Sequence, residues 1–568
     1  MLLYTYENLK PLVKTELGQK LIEETRKIYE KEFGGKPVPA TDYSTFKRIY
    51  QTGDRDGYQA IYYNRRRRLS RLQLLALADD SYLEELENIL AVILEEYTWV
   101  LPAHCLVKGS ESFDYTVIDL FSAETGYALA ETAFVLKEKL SSDIKSRIYA
   151  ELKRRIVDNL ESREQLWESL QNNWAAWCAG GVGITYLYAF PERFEMIKSR
   201  IFKCMENFLQ GIPEEGVCLE GVGYWIHGFG FFAQFFDIYE QFTGEYPDIL
   251  KSEKVKNSLQ YIANACLDGR CYLPFADGGH KQNYINPTVS YAVKRLFGEE
   301  YALPSYYSLD EDFVFYSTEN LGRTAAFRTL YGIHRYGLTE KNAVRERKTA
   351  YYQTSQIFIH KNPRYAFAAK CGSNAEKHNH NDVGSFQIVV GGKGVIVDPG
   401  PPKYTWQYFK DDTVRYSEEV FVAGSMGHSV PIVDGGYQLP RVSRRQKILE
   451  VTDENFKFDF AGYYEGSDAL TVDYRMLENG VRVSYSWKGI KEKITFRFLS
   501  FDRPVRTKRG WSVGVEILNK AGIAPEIKEI CYKGHQNAYA KGEEIIYAVD
   551  YTVTGKEAGE AEFEFLAP

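Results

Sequence analysis

The sequence lacks most of the short motifs that would fix its chemistry at once. Its 568 residues hold no Walker A loop, no GxGxxG between a strand and a helix and no HExxH. Nucleotide and zinc-protease chemistries therefore start without support. Cysteine is sparse, with eight residues scattered singly and no CxxC pair, which argues against a zinc ribbon or a disulfide scaffold and fits reduced core thiols. No apolar run approaches the length of a membrane span. Near the N-terminus, Glu7, Lys10, Lys14 and Glu16 stand where a signal peptide would need an unbroken apolar region, so a cytoplasmic protein is expected. Excess positive charge is also missing. Lys+Arg number 70 against 77 Asp+Glu, a formal net charge of -7, so neither nucleic acid nor an anionic membrane is an expected partner.

What is abundant is aromatic: 15% of the chain, with 43 Tyr and 33 Phe, enough to fill large cores and still furnish sugar-stacking surfaces. The densest basic stretch, Arg65 to Arg68 followed by Arg71, opens a leucine-rich helical segment and reads as a solvated face. A chain of this length exceeds what one core usually organises, so two large domains are expected. From the start to about residue 300 apolar residues recur at helical spacing, over 69–100, 119–140, 142–160, 164–177, 182–210, 225–243, 251–268 and 285–297. After a junction near 300–320 the period becomes two, in TSQIFIHKN, RYAFAAKCG, SFQIVVGGKGVIVDPG, ALTVDYRML, GVRVSYSWKG, KITFRFLS and WSVGVEILN. Helices followed by strands predict an α+β multidomain chain, a ring of helical hairpins over 1–310 and an antiparallel β-sheet or sandwich domain over 311–568.

The most informative segment is His378-Asn379-His380-Asn381-Asp382-Val383-Gly384-Ser385-Phe386, which runs into a strand and then Val397-Asp398-Pro399-Gly400; Gly427-His428-Ser429 follows. Three of the nine histidines thus fall within 51 residues beside an Asp at a strand end, a set that suits a zinc site. Two histidines at i and i+2 of an extended segment face one side, so the simplest reading makes both ligands of one metal; a polar loop with exposed histidines is the plainer alternative.

The order HxHxDxGSF, a strand pair ending in DPG, then a His-Ser step before Val433-Asp434-Gly435 resembles the β-domain signature of the heparinase II/III-like lyases. In the helical half, Asn172-Asn173-Trp174 resembles that family's Asn-Asn-Trp segment, and Glu220-Gly221-Val222-Gly223-Tyr224 its EGxxY segment; YTWVLPAH (97–104) and the pattern around Arg71 agree more weakly. The resemblance implies an α/α toroid joined to an antiparallel β-domain with the active site in the cleft between them. It implies that Tyr224 and His378 are catalytic, that Asn173 binds the substrate carboxylate with Asn172 in reserve, and that His380, Asp398 and His428 hold one divalent metal, expected to be zinc and structural. Ser429 stands where the family commonly has Asn. By closeness to these motifs Trp177, Trp225, Tyr404 and Arg415 are expected cleft residues. Taken alone, the two asparagines could equally cap a helix and the tyrosine fill a core.

Such a lyase would act on an anionic oligo- or polysaccharide, glycosaminoglycan or alginate, and a homodimer is a further expectation. In a uronic acid the C5 proton is hard to remove because the developing charge adds to a carboxylate, so an amide donor must stabilise that charge while a base and an acid act on C5 and the leaving oxygen. The rival expectation is a glycoside hydrolase on a helical toroid with Glu220 and Asp277 as its carboxylate pair. A glycan-binding protein that has lost its chemistry is a third.

Overall fold

The structure, a computed structural model, describes residues 2–268, 271–279, 286–301, 303, 305–306, 325–336, 339–340, 348–376, 378–405, 408–409, 412–443, 446–520, 522–533 and 544–568. The expected boundary at 310/311 lies outside them. By compactness the chain forms two units, one of Met1–Ile212, Ile226–Val255 and Tyr284–Val344, the other of Pro213–Trp225, Lys256–Asn283 and Arg345–Pro568. All eight cysteines are unbridged. Among the described residues no helix is long and apolar enough to cross a membrane.

The first unit is helical, as the 3.6-residue period requires. Its main helices among the described residues are α1 (Glu16–Phe33), α2 (Asp56–Ala78), α3 (Leu83–Leu94), α4 (Leu120–Val135), α5 (Ser142–Leu152), α6 (Asn173–Ala189), α7 (Phe194–Gln210) and α8 (Val222–Thr243), whose first turn is counted with the second unit, with α9 (Pro287–Phe297) and α10 (Ala326–Tyr336). Neighbours pair as hairpins, α1 with α2, α2 with α3, α4 with α6 and α6 with α7. The last helix, α10, packs back on α1 and α2 and so closes the α/α toroid.

Two expected helices are re-drawn. The expected segments 164–177 and 182–210 are joined at their gap, since α6 runs straight through Gly180, Gly181 and Gly183. These glycines let helices approach rather than stop one. A Cβ at Gly181 would come within 3.0 Å of Ala123 on α4, and one at Gly183 within 2.5 Å of the Phe235 ring on α8. The break falls instead at Phe190–Arg193, where Pro191 cannot donate to a continuing helix.

The arginine run is not a solvated face. Arg65, Arg66 and Arg71 are buried. Arg66 grips Glu96 in a two-pronged ion pair, with Nη2 2.7 Å from Oε2, and lies 3.7 Å over the Tyr62 ring; Arg65 adds a 3.0 Å bond to the same carboxylate. Arg71 pairs with Glu32 at 3.4 Å. Composition alone read these charges as exposed, but buried arginines are tolerated where carboxylates and carbonyls meet their donors.

The second unit is mostly antiparallel β. One sheet has the order β1-β2-β3-β4-β5 (Thr349–Tyr352, Ile357–Lys361, Ala366–Lys370, Phe386–Val390, Lys393–Ile396). Among the described residues twelve further strands follow: β6 (Pro431–Val433), β7 (Lys447–Val451), β8 (Asn455–Asp459), β9 (Ala469–Leu477), β10 (Gly480–Lys488), β11 (Lys493–Ser500), β12 (Val505–Arg506), β13 (Trp511–Ser512), β14 (Glu516–Asn519), β15 (Glu526–Tyr532), β16 (Glu544–Thr554) and β17 (Ala558–Leu566). They form an eight-stranded sheet β7-β8-β9-β10-β17-β14-β13-β12 and a four-stranded sheet β6-β11-β16-β15. Burial alternates residue by residue along β9 and β10, the structural form of the period of two. Phe386, Phe498 and Phe565, one from each sheet, meet with ring centroids 4.9 to 6.0 Å apart, so all three sheets share one aromatic core. The expected single strand WSVGVEILN is instead the short pair β13 and β14, because Gly514 at φ +101° turns the chain back.

Candidate functional site

In the second unit the two motifs furthest apart in sequence are tied together by Asp277. Gly221, just before α8, has φ +103°, and a Cβ there would lie 2.9 Å from both Phe275 O and Gly278 N. Only glycine lets the start of α8 press against the turn that carries Asp277. That turn is itself strained, with Ala276 at φ +58°.

Asp277 is buried, and both of its oxygens are used. His378 Nδ1 lies 2.5 Å from Oδ2, the Tyr404 hydroxyl donates to the same oxygen, and His380 Nε2 lies 3.1 Å from Oδ1. Tyr404 also meets the Tyr224 hydroxyl at 2.9 Å, and the Tyr224 and His378 rings lie 4.3 Å apart at 34°. Burial would raise the carboxyl pKa, but the hydrogen bonds and charges of the two histidines outweigh it and hold Asp277 well below the usual range. For His378 the balance runs the other way: burial lowers it, while the bond to Asp277 and that carboxylate's charge raise it overall, helped by Glu220 and opposed by Arg415. Burial, then the charge of Asp277, drives Tyr404 well above a free phenol. A carboxylate accepts only, so Nδ1 of His378 carries the hydrogen and Nε2 is left for chemistry.

The two histidines of HNHND do not act as one pair. His378 sits at φ +54°, which breaks the extended alternation that would have put both rings on one metal. Among the described residues, the cluster that could hold an ion consists of His380, Asp398 and His428, all buried, with one ligand atom of each within 4.8 Å of the others. Their tautomers fit a cation. His428 Nε2 lies 3.0 Å from the Val422 carbonyl and His380 Nε2 faces Asp277, so each Nε2 donates and, in a neutral ring, each Nδ1 would present its lone pair to a cation. His428 Nδ1 then stands 2.8 Å from Asp398 Oδ2, and His380 Nδ1 is buried without a hydrogen-bond partner. Two imidazoles with a carboxylate, one imidazole nitrogen of which is otherwise without a partner, are a donor set that suits a divalent cation such as zinc.

The other expected residues divide. Arg415 lies 4.5 Å over the Tyr408 ring, which in turn packs 5.4 Å from Tyr404, so it borders the Asp277 network. Trp225 points inward, its indole N–H donating to Ser258 Oγ at 2.8 Å. In the first unit Asn172 caps α6, its side chain accepting from Trp174 N–H at 3.0 Å, and Asn173 is the buried first residue of that helix. Trp177 is buried and stacked on His227 at 4.3 Å and 14°. Glu220 is buried. Sequence reasoning singled out Asp277 only for the hydrolase alternative; its signal was FADGG, a carboxylate in a glycine turn. Tyr408 carried no signal.

No family model matches the sequence, and no curated protein matches it. Solved structures do. The crystal structure of heparinase III superposes with a TM-score of 0.63 at 14% identity, covering 98% of this chain and 86% of that one. The chain has the heparinase III fold. Heparan sulfate lyase HepC from Pedobacter heparinus gives 0.56 at 11% identity over 97% of this chain and 84% of that one. The Streptomyces coelicolor A3 chondroitin AC lyase, solved with chondroitin sulphate, gives 0.58 at 11% over 99% and 82%. At such identities the likeness establishes the heparinase-type toroid and β-domain architecture, and the chemistry must be argued from the side chains.

Proposed function

We propose that the chain is a polysaccharide lyase that cleaves a uronic-acid-containing glycan, glycosaminoglycan or alginate-like, by β-elimination to leave an unsaturated uronate end. The observation that carries this reading is the network of Tyr224, Tyr404, Asp277 and His378, a phenol and an imidazole in ring contact with an ionised carboxylate behind the imidazole. In the reaction a base takes the C5 proton, the C–H electrons form the C4=C5 double bond, the C4–O bond breaks, and an acid protonates the departing glycosidic oxygen. His378 Nε2 and the Tyr224 hydroxyl are those two groups, and the substrate epimer decides which is the base. Asp277 fixes the His378 tautomer, and the nearby charge of Arg415 counters the tendency of that ring to stay protonated. The resemblance assigns the donor to the substrate carboxylate to Asn173, which Asn173→Ala tests. The hydrolase reading fits the site less well, since a general acid needs a raised pKa and that of Asp277 is lowered.

In this reading His380, Asp398 and His428 would hold one divalent ion, zinc. Such an ion would supply a fixed positive charge between His380, Asp398 and His428, and through His380 these residues would hold the segment that presents His378. Treatment with a chelator such as dipicolinate is expected to remove a single ion per chain and lower the melting temperature by about 5 °C. Metal analysis with a thermal scan checks this, and His380→Ala should reproduce the loss. Asp277→Asn is expected to slow elimination by roughly 10–100-fold, because an amide cannot accept from both histidines. An unchanged rate would remove Asp277 from the machinery.

The primary test is an ultraviolet-absorbance time course on heparin, heparan sulfate, chondroitin, hyaluronan and alginate oligosaccharides. A rise on any of them establishes the lyase and names its glycan.

A further inference from the structure

At the start of α6 the helical unit carries an imidazole, a carboxylate and an indole that the reading above leaves unused. His104 lies in the short helix Pro102–Cys105, with Nδ1 2.7 Å from Asp119 Oδ2. Asp119 is buried and already caps α4, accepting from Ser122 N–H at 2.8 Å and from Leu101 N–H at 3.1 Å. The cap is complete without the histidine, so the imidazole is held by Asp119 rather than needed by it. As an acceptor, Asp119 takes the Nδ1 hydrogen and leaves Nε2 as a lone-pair acceptor. The ring lies flat on Phe121, 5.8 Å away at 15°, and meets Trp174 edge-on at 5.0 Å and 66°. Trp174 is set in place by the Asn172 cap, and both its indole and His104 remain partly exposed.

We infer that His104 and Trp174 form a sugar-binding subsite in which a pyranose ring packs on the indole and donates a hydroxyl to His104 Nε2. The inference rests on the glycan reading proposed above. A hydroxyl suits the site better than a sulfate or carboxylate, because an imidazole backed by a buried carboxylate offers no net positive charge. Indole faces favour the apolar C–H side of a pyranose, and a fixed acceptor at the edge adds orientation. Asp119 is a positioning residue here.

The test uses the full chain in a Tyr224→Phe background, so that binding is read without turnover. Heparan sulfate, chondroitin sulfate and alginate tetrasaccharides are titrated by calorimetry. His104→Ala is expected to weaken binding of the recognised tetrasaccharide about tenfold, Trp174→Ala comparably, and His104→Gln, whose amide oxygen can accept, should regain part of the loss. In the chain with Tyr224 intact, the His104→Ala loss should fall on KM rather than kcat, with the melting temperature within ~2 °C of the parent. Unchanged affinity in both alanine variants overturns the subsite while leaving the lyase reading standing. His104-dependent binding without elimination by the intact chain has the opposite meaning. An early melt of His104→Ala with no recovery in His104→Gln makes the histidine structural, and no binding of any tetrasaccharide to the parent also overturns the subsite.

Discussion

Replacing Tyr224 with Phe is expected to lower the elimination rate by roughly 10²–10⁴-fold, the usual contribution of a positioned acid or base. The substitution keeps the ring that packs 4.3 Å from His378 and deletes only the hydroxyl that meets Tyr404 at 2.9 Å, so the fold should be unaffected. His378→Ala should lose a similar factor. The two losses should not multiply, because groups that serve one transition state act as a unit. A Tyr404→Phe chain separates chemistry from positioning, since Tyr404 bonds both Tyr224 and Asp277 and its removal should cost less than that of either reacting group. The decisive outcome is a wild-type absorbance rise lost in both single variants. If no rise occurs on any uronate glycan and reducing sugar is released from a neutral one, the lyase reading is wrong and Glu220 with Asp277 becomes the pair to test.

The largest expected effect on stability lies in the helical unit. Glu96→Ala leaves the buried guanidinium groups of Arg65 and Arg66 without their shared carboxylate, and stranding buried charge typically costs ~3–5 kcal/mol. For a unit of this size that corresponds to a fall of roughly 10 °C in its melting transition. Differential scanning calorimetry reads it, and a chain with more than one unit calls for following the helical transition by itself rather than one global midpoint. Lys20→Ala, which removes an exposed pair with Glu16, is the control and should stay within ~0.5 kcal/mol of wild type. A Glu96→Ala chain as stable as that control would mean that water reaches the arginines.

Much of this protein was legible in its sequence because secondary structure follows local periodicity. The helical spacing of the earlier part of the chain and the alternation of the later part set the two classes of architecture, and the alternating burial of β9 and β10 is that pattern realised. Errors arose where local signals have two meanings. Glycines that break an isolated helix are, in α6, the places where Ala123 and Phe235 come close. Four consecutive arginines read as solvated until a carboxylate 30 residues away is known to be buried beside them.

The candidate site shows the same division. Sequence alone could name the HNHND segment, the EGVGY segment and the aspartate of FADGG, since each is an unusual local grouping of titratable residues and glycine. Only the tertiary structure decides how they combine. With a left-handed backbone at His378, only His380 of the two joins Asp398 and His428, and a positive φ at Gly221 lets the start of α8 meet the Asp277 turn. One carboxylate then bonds two histidines and a tyrosine from 101 to 127 residues further along the chain. Periodicity is a property of neighbours in sequence, whereas a carboxylate's partners are set by packing between distant segments, and no local pattern records that choice.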